Sequence, residues 1–202
     1  MQLQRLSQPF YESFDTVTLS RELLGCILLH DHPAGITSGM IVETEAYLAD
    51  DPACHAFNRR TARTEPMYAD AGTIYIYTIY GMYQCINVVS NRKDIGEAVL
   101  IRALEPIDGL DLMRQRRADS RKSASTKIIS DRDLCRGPGR LVTAMGIELQ
   151  KFNHQKFTEG TLGIYDRLST GFEITSSARI GISTGKDLPY RFTIRGSSFV
   201  SK

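Results

Sequence analysis

Two strand-like segments joined by a short turn constrain the fold of this chain most strongly. Residues 73–79 and 84–89 are rich in β-branched and aromatic side chains, and they flank Tyr80-Gly81-Met82-Tyr83. This pattern predicts a β-hairpin in the middle of the chain. Other apolar segments predict further strands at 26–29, 39–47, 98–104 and 189–194.

Helices are predicted between these strands, but they do not alternate regularly with them. Capping and breaking residues place helices at 18–24, 106 to about 117, and 137–146. Pro106 suits the first turn of the second helix because its ring fixes φ near the helical value. Because a clean β-α-β alternation is missing, we expect an α+β fold with a largely antiparallel sheet, forming one domain over residues 1–202.

Composition favours a protein of the cell interior. No apolar run approaches the roughly 20 residues that cross a bilayer, and residues 1–10 lack the apolar stretch of a secretory signal. The four cysteines are scattered without a C-x-x-C pair, which favours reduced thiols over a zinc ribbon or a redox dithiol. We therefore expect a cytoplasmic protein with no membrane partner.

The charge distribution is more informative than the net charge of +2. Basic residues form two clusters with few acids nearby: Arg59, Arg60 and Arg63, and then Arg114, Arg116, Arg117, Arg121 and Lys122. Such clusters fit either a solvated surface or a footprint for phosphates. The polar, Ser-rich segment 120–130 predicts a mobile loop.

Three charged residues are hard to explain as ordinary strand residues. Arg102 lies in a strongly apolar segment, where a buried charge needs a partner. Glu43 and Glu45 stand in another predicted strand, and a regular period of two puts both on one face with Tyr47. Two interpretations remain open: a structural salt bridge, or a carboxylate held by a guanidinium so that it orients a water molecule.

Tyrosines are dense in the same region. Six lie within fewer than forty residues: Tyr47, Tyr68, Tyr75, Tyr77, Tyr80 and Tyr83. Tyrosine packs well in strands, but an aromatic set on a hairpin also suits stacking on a nucleobase. Tyr80 stands at the predicted hairpin tip, where its ring could act as a wedge.

Several motifs together resemble the alkyladenine, or 3-methyladenine, DNA glycosylase family in its bacterial form. They are VETEAY at 42–47, YIYTIYGMY at 75–83, CINV at 85–88, LIRALEP at 100–106, LCRGPGRL at 134–141 and RFTIRG at 191–196. The resemblance runs through nearly the whole chain. It implies a single mixed domain built on a curved antiparallel sheet.

The resemblance also implies an activity. Such an enzyme flips alkylated or deaminated purines out of duplex DNA and hydrolyses the N-glycosidic bond, which leaves an abasic site. It needs no metal or cofactor and has no lyase activity. Damaged double-stranded DNA would be the partner of a monomer at the bacterial nucleoid, with no obligate protein partner.

Catalytic roles follow from motif positions in this resemblance. Glu45 is similar to the general base, and Arg102 to the residue that helps hold the nucleophilic water. The backbone carbonyl of Ile180 resembles a third ligand of that water.

Base-binding roles follow in the same way. Tyr47 and Tyr77 resemble the rings that sandwich the flipped base, and His55 closes the pocket. Asn87 is similar to the residue that disfavours the 2-amino group of guanine. Tyr80 resembles the side chain that fills the gap left in the duplex.

Some residues at the pocket lip depart from the family pattern. The stretch from Tyr47 to His55 is one residue short, Cys54 replaces alanine or serine, and residues 61–66 differ from the usual sequence. These changes leave substrate range less constrained than reaction type.

Other interpretations remain to be weighed against this one. Clustered oxygen and nitrogen ligands would suit a metal-dependent nuclease: Glu43, Glu45, Asp50, Asp51 and His55. A damage sensor without catalysis would keep the tyrosines. His30-Asp31-His32 fits exposed turn residues better than a metal site, and Gly137-Pro138-Gly139 fits a phosphate cradle or a plain helix start.

Overall fold

The apolar and β-branched segments form strands that all pair antiparallel. The computed structural model describes residues 3–120, 128–167 and 170–201. Within these ranges the strands are β1 (Ile27–His32), β2 (Gly35–Tyr47), β3 (Ile74–Ile79), β4 (Tyr83–Val89), β5 (Ala98–Asp108), β6 (Leu162–Tyr165), β7 (Ile174–Ser177) and β8 (Arg191–Ile194). Their order is β3-β4-β5-β2-β1-β6, with β8 paired to both β2 and β7.

Strand β2 divides the sheet and curls it. One edge of β2 pairs with β5, whereas the other edge pairs with β1 through residues 35–40 and then with β8 through residues 43–45. The register with β5 shifts between Ile41 and Thr44, and such irregularities bend a strand. The curved, largely antiparallel sheet and its surrounding helices confirm the α+β prediction.

Helices cover the sheet. Their bounds are α1 (Gln8–Glu12), α2 (Thr16–Glu22), α3 (Leu110–Asp119), α4 (Asp131–Leu134), α5 (Pro138–Met145) and α6 (Leu149–Phe152), with a short 3-10 helix at Glu65–Tyr68. Helix α2 begins two residues before the predicted start because Asp15 caps it by accepting from the Thr18 amide. None of the helices in the described ranges is long and apolar enough to cross a membrane.

The main core lies between the sheet and helices α2, α3 and α5. It includes Leu19 of α2, Ile41 of β2, Ile101 of β5 and Met145 of α5, each fully buried. A smaller apolar cluster around Met67, Tyr75 and Ala98 lies beside the cleft described below. The core therefore fixes β2, which carries Glu43 and Glu45, and β5, which carries Arg102.

The prediction of a helix starting at Pro106 is wrong. Pro106 belongs to β5, where it pairs with Gly39 next to a register shift, a place in a sheet that tolerates a missing N–H. The helix begins at Leu110, after Gly109 has turned the chain with φ of 73°. A Cβ at Gly109 would lie 2.3 Å from the carbonyl oxygen of Ile36, so this turn requires glycine.

The prediction that His30-Asp31-His32 are exposed turn residues is also wrong for His30. All three belong to β1, and His30 is fully buried, with its Nδ1 2.8 Å from the carbonyl oxygen of Met145. The turn itself is confined to Pro33 and Ala34. Most of the segment 120–130, predicted to be a mobile loop, lies outside the described residues, as do Arg121 and Lys122.

Candidate active site

A cleft of about 1330 Å³ opens beside the β3–β4 hairpin, between the start of α5 and two loops. Six arginines line it: Arg59, Arg63, Arg102, Arg117, Arg136 and Arg140. None of its lining residues in the described ranges is acidic. Low-dielectric walls lined by one sign of charge concentrate ions of the opposite sign. The cleft is therefore suited to a polyanion.

The two basic clusters of the sequence are divided by the fold. Arg59 and Arg63 face the cleft, but Arg60 pairs with Glu65 and Asp94. In the second cluster, the Arg116 guanidinium donates to the carbonyl oxygen of Ala144, near the end of α5, and Arg114 pairs with Asp111 and Asp131. Arg117 remains at the cleft wall.

Glu45 lies behind the cleft wall and is fully buried. Its Oε2 accepts from the Tyr47 hydroxyl at 2.8 Å and from Arg102 Nη1 at 3.2 Å, while its Oε1 accepts from the Ile180 amide at 2.8 Å. Burial first, and then the Glu45 carboxylate, raise the pKa of Tyr47, so its hydroxyl stays protonated as the donor. These three bonds fix the position of the carboxylate.

Arg102 connects Glu45 to its neighbours. Its Nη1 also donates to the Ile180 carbonyl oxygen at 3.3 Å, and its Nε donates to Glu43 Oε1 at 3.1 Å. Arg102 and Ile180 both line the cleft. The structure therefore brings together the three residues predicted to act on water, and the guanidinium bridges both buried glutamates.

Glu43 has a more crowded environment than Glu45. Its Oε1 accepts from Arg191 Nε at 2.6 Å and from the Ser201 hydroxyl at 2.8 Å, besides Arg102, and its Oε2 accepts from the Ser201 amide at 2.5 Å. Burial opposes ionisation, but the bonds from Ser201 and Arg191 and the charge of Arg102 hold the pKa of Glu43 below its usual range. Glu43 is thus a carboxylate with two guanidinium partners.

The predicted base-binding residues all line the same cleft. The rings of His55 and Tyr77 meet edge to face at 4.5 Å, and His55 Nδ1 lies 2.9 Å from the Tyr75 hydroxyl. Burial, followed by the charges of Arg63 and Arg59, lowers the pKa of His55 to about 4. His55 is therefore neutral near pH 7.

Asn87 and Tyr47 complete this part of the cleft. The Asn87 amide donates to the Tyr75 carbonyl oxygen at 2.9 Å, which fixes the side chain of a residue only 3% exposed. Tyr47 is only partly exposed and is held by its bond to Glu45.

Tyr80 occupies the tip of the hairpin, between β3 and β4, as predicted. Its side chain is 80% exposed, and both Tyr80 and Gly81 have positive φ, at 54° and 69°. A left-handed conformation is unusual for an aromatic residue and marks a tight turn. The turn presents a bulky ring to solvent at the edge of the cleft.

Arg179 was not predicted, although it adjoins Ile180. Its guanidinium is buried, donates to the Ala46 carbonyl oxygen at 2.9 Å, pairs with Asp51, and lies 4.6 Å from the centre of the Tyr47 ring. One charged residue thus ties β2 to two loops of the cleft. The sequence signal was a lone arginine in a polar segment, which is too common to be informative.

Arg191 and Ser201 were also not given roles. Arg191 stands in the predicted closing strand and begins the RFTIRG motif at 191–196. A charge in a strand was therefore the sequence signal that could have identified it. Ser201 offers no comparable signal, because its contact with Glu43 joins residues 158 positions apart.

Four of the five side chains considered as metal ligands bond to other side chains of the protein. Glu43 and Glu45 bond to Arg102, Asp51 pairs with Arg179, and His55 bonds to Tyr75. Among the residues that the structure describes, no group of three histidines, cysteines or acids is arranged to hold a metal ion. Within the described residues, the geometry therefore offers the nuclease interpretation no metal centre.

Comparisons with known proteins identify relatives along nearly the whole chain. A protein of Francisella tularensis named "Putative 3-methyladenine DNA glycosylase" is 46% identical over 191 residues, covering 93% of this chain and 94% of that protein. Proteins of Methanoculleus marisnigri and Carboxydothermus hydrogenoformans with the same name are 41% and 39% identical, with 98% of both chains covered in each case.

These relatives place the chain in the class of DNA glycosylases, enzymes that hydrolyse N-glycosyl bonds. The model of the methylpurine-DNA glycosylase family matches residues 9–198. The chain belongs to this family, and the family resemblance predicted from its motifs is confirmed.

Proposed function

We propose that this protein removes damaged purines from duplex DNA by hydrolysis and leaves an abasic site, without cutting the strand. Its substrates would be 3-methyladenine, 7-methylguanine, hypoxanthine and ethenoadenine. The observation that carries the proposal is the convergence of Glu45, Arg102 and Ile180 at a cationic, tyrosine-lined cleft.

Glu45 serves as the general base. A water molecule bound against Arg102 Nη1 and the Ile180 carbonyl would meet one donor and one acceptor, with the Glu45 carboxylate within hydrogen-bond reach of the same groups. Glycosidic cleavage passes through an oxocarbenium-like state, which the carboxylate also stabilises. One acid thus activates water and stabilises the sugar.

The aromatic residues hold the flipped base. Tyr47 and Tyr77 supply stacking faces, and the neutral His55 packs edge to face against Tyr77. Arg179 lies over the Tyr47 ring at 4.6 Å and Arg63 over the Tyr77 ring at 5.6 Å. Because these rings already contact cations, their attraction for a further cationic base is weakened.

Asn87 limits the substrate range. Its amide is tied to the Tyr75 backbone, so the side chain cannot easily move aside for the 2-amino group of guanine. Tyr80 fills the gap that the flipped nucleotide leaves and offsets part of the unstacking energy, which is about a few kcal/mol.

Strand cutting is not expected. Schiff-base lyase chemistry needs an amine at the sugar, and none of the lysines in the described part of the chain lines the cleft. We also propose that the protein acts as a monomer at the bacterial nucleoid.

Replacing Glu45 with glutamine tests the proposal. The expected result is a loss of base release of about 10²-fold to 10⁴-fold, with lesion binding preserved, because general base catalysis is removed while the size of the side chain is kept. Glu159→Gln is the matched control, since Glu159 is exposed and lies outside the cleft.

The measurement is single-turnover release from duplexes carrying each of the four lesions, followed by alkali to reveal abasic sites. Normal release by Glu45→Gln would refute the assignment. Tight lesion binding by wild-type protein without abasic product would favour a damage sensor, and inhibition by EDTA would favour a metal-dependent nuclease.

A further inference from the structure

The segment that follows β8 returns to the rear of the active site. Its residue Ser201 is only 8% exposed. The Ser201 hydroxyl donates to Glu43 Oε1 at 2.8 Å and accepts from Arg102 Nε at 3.3 Å and Nη2 at 3.2 Å. A hydroxyl has one donor and two acceptor positions, so all three are used here.

Two arginines hold this segment in place. Arg191 Nη2 donates to the Ser201 carbonyl oxygen at 3.2 Å, and Arg136 Nε donates to the Val200 carbonyl oxygen at 2.6 Å. Arg191 also donates to Glu43, and the Ser201 amide bonds to the other oxygen of that carboxylate. The position of Ser201 is therefore fixed on both its backbone and its side chain.

These contacts decide how Arg102 can pair. A guanidinium and a carboxylate prefer two parallel hydrogen bonds, which would turn the Nε and Nη2 edge of Arg102 fully onto Glu43. Ser201 prevents this, because its amide occupies Glu43 Oε2 and its hydroxyl lies against Arg102 Nη2. The Arg102 Nη1 group is thus kept on Glu45 and the Ile180 carbonyl.

We propose that Ser201 is a positioning residue that sets the orientation of the Arg102 guanidinium for base release. The role rests on the proposed function of Glu45 and Arg102. Ser201 acts only through Arg102 and Glu43, since it is not among the residues that line the cleft. Loss of its hydroxyl would affect the chemical step and leave lesion binding intact.

Ser201→Thr and Ser201→Val form the critical pair, because threonine and valine have nearly the same shape and differ in the hydroxyl. Single-turnover release and the Kd for lesion duplex would be measured for both variants and for wild-type protein. Valine should lower the release rate constant by about tenfold to a hundredfold, as small misplacements of catalytic groups do. Threonine should stay within about threefold of wild type, and the Kd should change by less than about twofold in both.

Ser198→Ala controls for changes in the same segment, since Ser198 is exposed. Equal rates for the threonine and valine variants would overturn the positioning role while leaving the proposed function intact. Parallel losses of rate and lesion binding in Ser201→Val would also overturn it, because they would indicate a general folding role. If wild-type protein releases no damaged base, the proposed function fails and the positioning role fails with it.

Discussion

Two buried glutamates two residues apart have different surroundings. Glu43 accepts from Arg102, from Arg191, and from the amide and hydroxyl of Ser201. Glu45 accepts from Arg102, a tyrosine hydroxyl and a backbone amide. A second guanidinium on Glu43 stabilises its charge and leaves Arg102 available to Glu45. At the scale of single residues, the two acids are therefore distinguished by their hydrogen-bond partners and not by their positions in the strand.

His55 should give the protein a pH-dependent stability. Its pKa is about 4 in the folded protein, below the ordinary value of 6.5, so the unfolded chain binds more protons between these two values. The free energy of unfolding should therefore fall as pH decreases from about 6.5 to about 4. His55→Asn should reduce this part of the pH dependence.

Urea unfolding at several pH values measures the effect. His154→Asn is the control, because His154 is exposed and its φ of 72° is one that asparagine adopts readily. Parallel stability curves for wild type and His55→Asn between pH 6.5 and pH 4 would contradict the role of His55.

Helix α5 depends on the glycine that ends it. Gly146 has φ of 67°, and a Cβ there would lie 2.6 Å from the Arg116 guanidinium carbon. Arg116 donates to the Ala144 carbonyl oxygen and to the Thr37 hydroxyl oxygen, so displacing it would break bonds near the end of the helix. Close packing at this end therefore joins α5 to α3 and β2.

Gly146→Ala should lower stability by about 2–4 kcal/mol, of which about 1–2 kcal/mol reflects the left-handed backbone and the rest the lost Arg116 contacts. Gly196→Ala isolates the backbone contribution, since its φ is 79° and nothing lies within 4 Å of an added Cβ. Urea denaturation would compare the two. Equal losses would show that Arg116 adjusts without cost.

The local sequence pattern predicts the strongly patterned strands and helices. It fails where contacts between residues distant in sequence determine the structure. The hairpin β3–β4 and the apolar strand β5 follow from side-chain types, as does the tip position of Tyr80. Strands β6 and β7 have four residues each, too few to show a period. Pro106 was misplaced because a proline fits both a helix start and an irregular strand position.

The candidate site likewise contains residues that the local sequence predicts and contacts that it does not predict. Charges in apolar segments identified Glu43, Glu45 and Arg102, because burial of an unpaired charge is costly. The division of the sheet at β2 and the return of Ser201 to Glu43 depend on tertiary pairing, which no local window contains.

At the scale of the whole molecule, the arginine-lined cleft predicts salt-dependent DNA binding. Arg140 is 52% exposed, and its nearest acidic partner, Asp133, is 3.9 Å away. Arg140→Ala should weaken binding to damaged and undamaged duplexes alike, and should reduce the slope of log K against log salt by about 1.

Fluorescence anisotropy titrations at several salt concentrations would measure this slope. Arg195→Ala is the control, because Arg195 is exposed outside the cleft and pairs with Glu173 at 2.7 Å. An unchanged slope in Arg140→Ala would show that Arg140 makes no phosphate contact.

The return of Ser201 to Glu43 also sets an order of events during protein synthesis. A ribosome releases residue 43 far ahead of residue 201, so a nascent chain contains the tyrosine hairpin before the groups that orient Arg102 have emerged. Such a chain can begin to form the cleft while the contacts around Arg102 are still incomplete. The full set of contacts around Glu43 and Arg102 therefore forms only after Ser201 has become available to the folded strands.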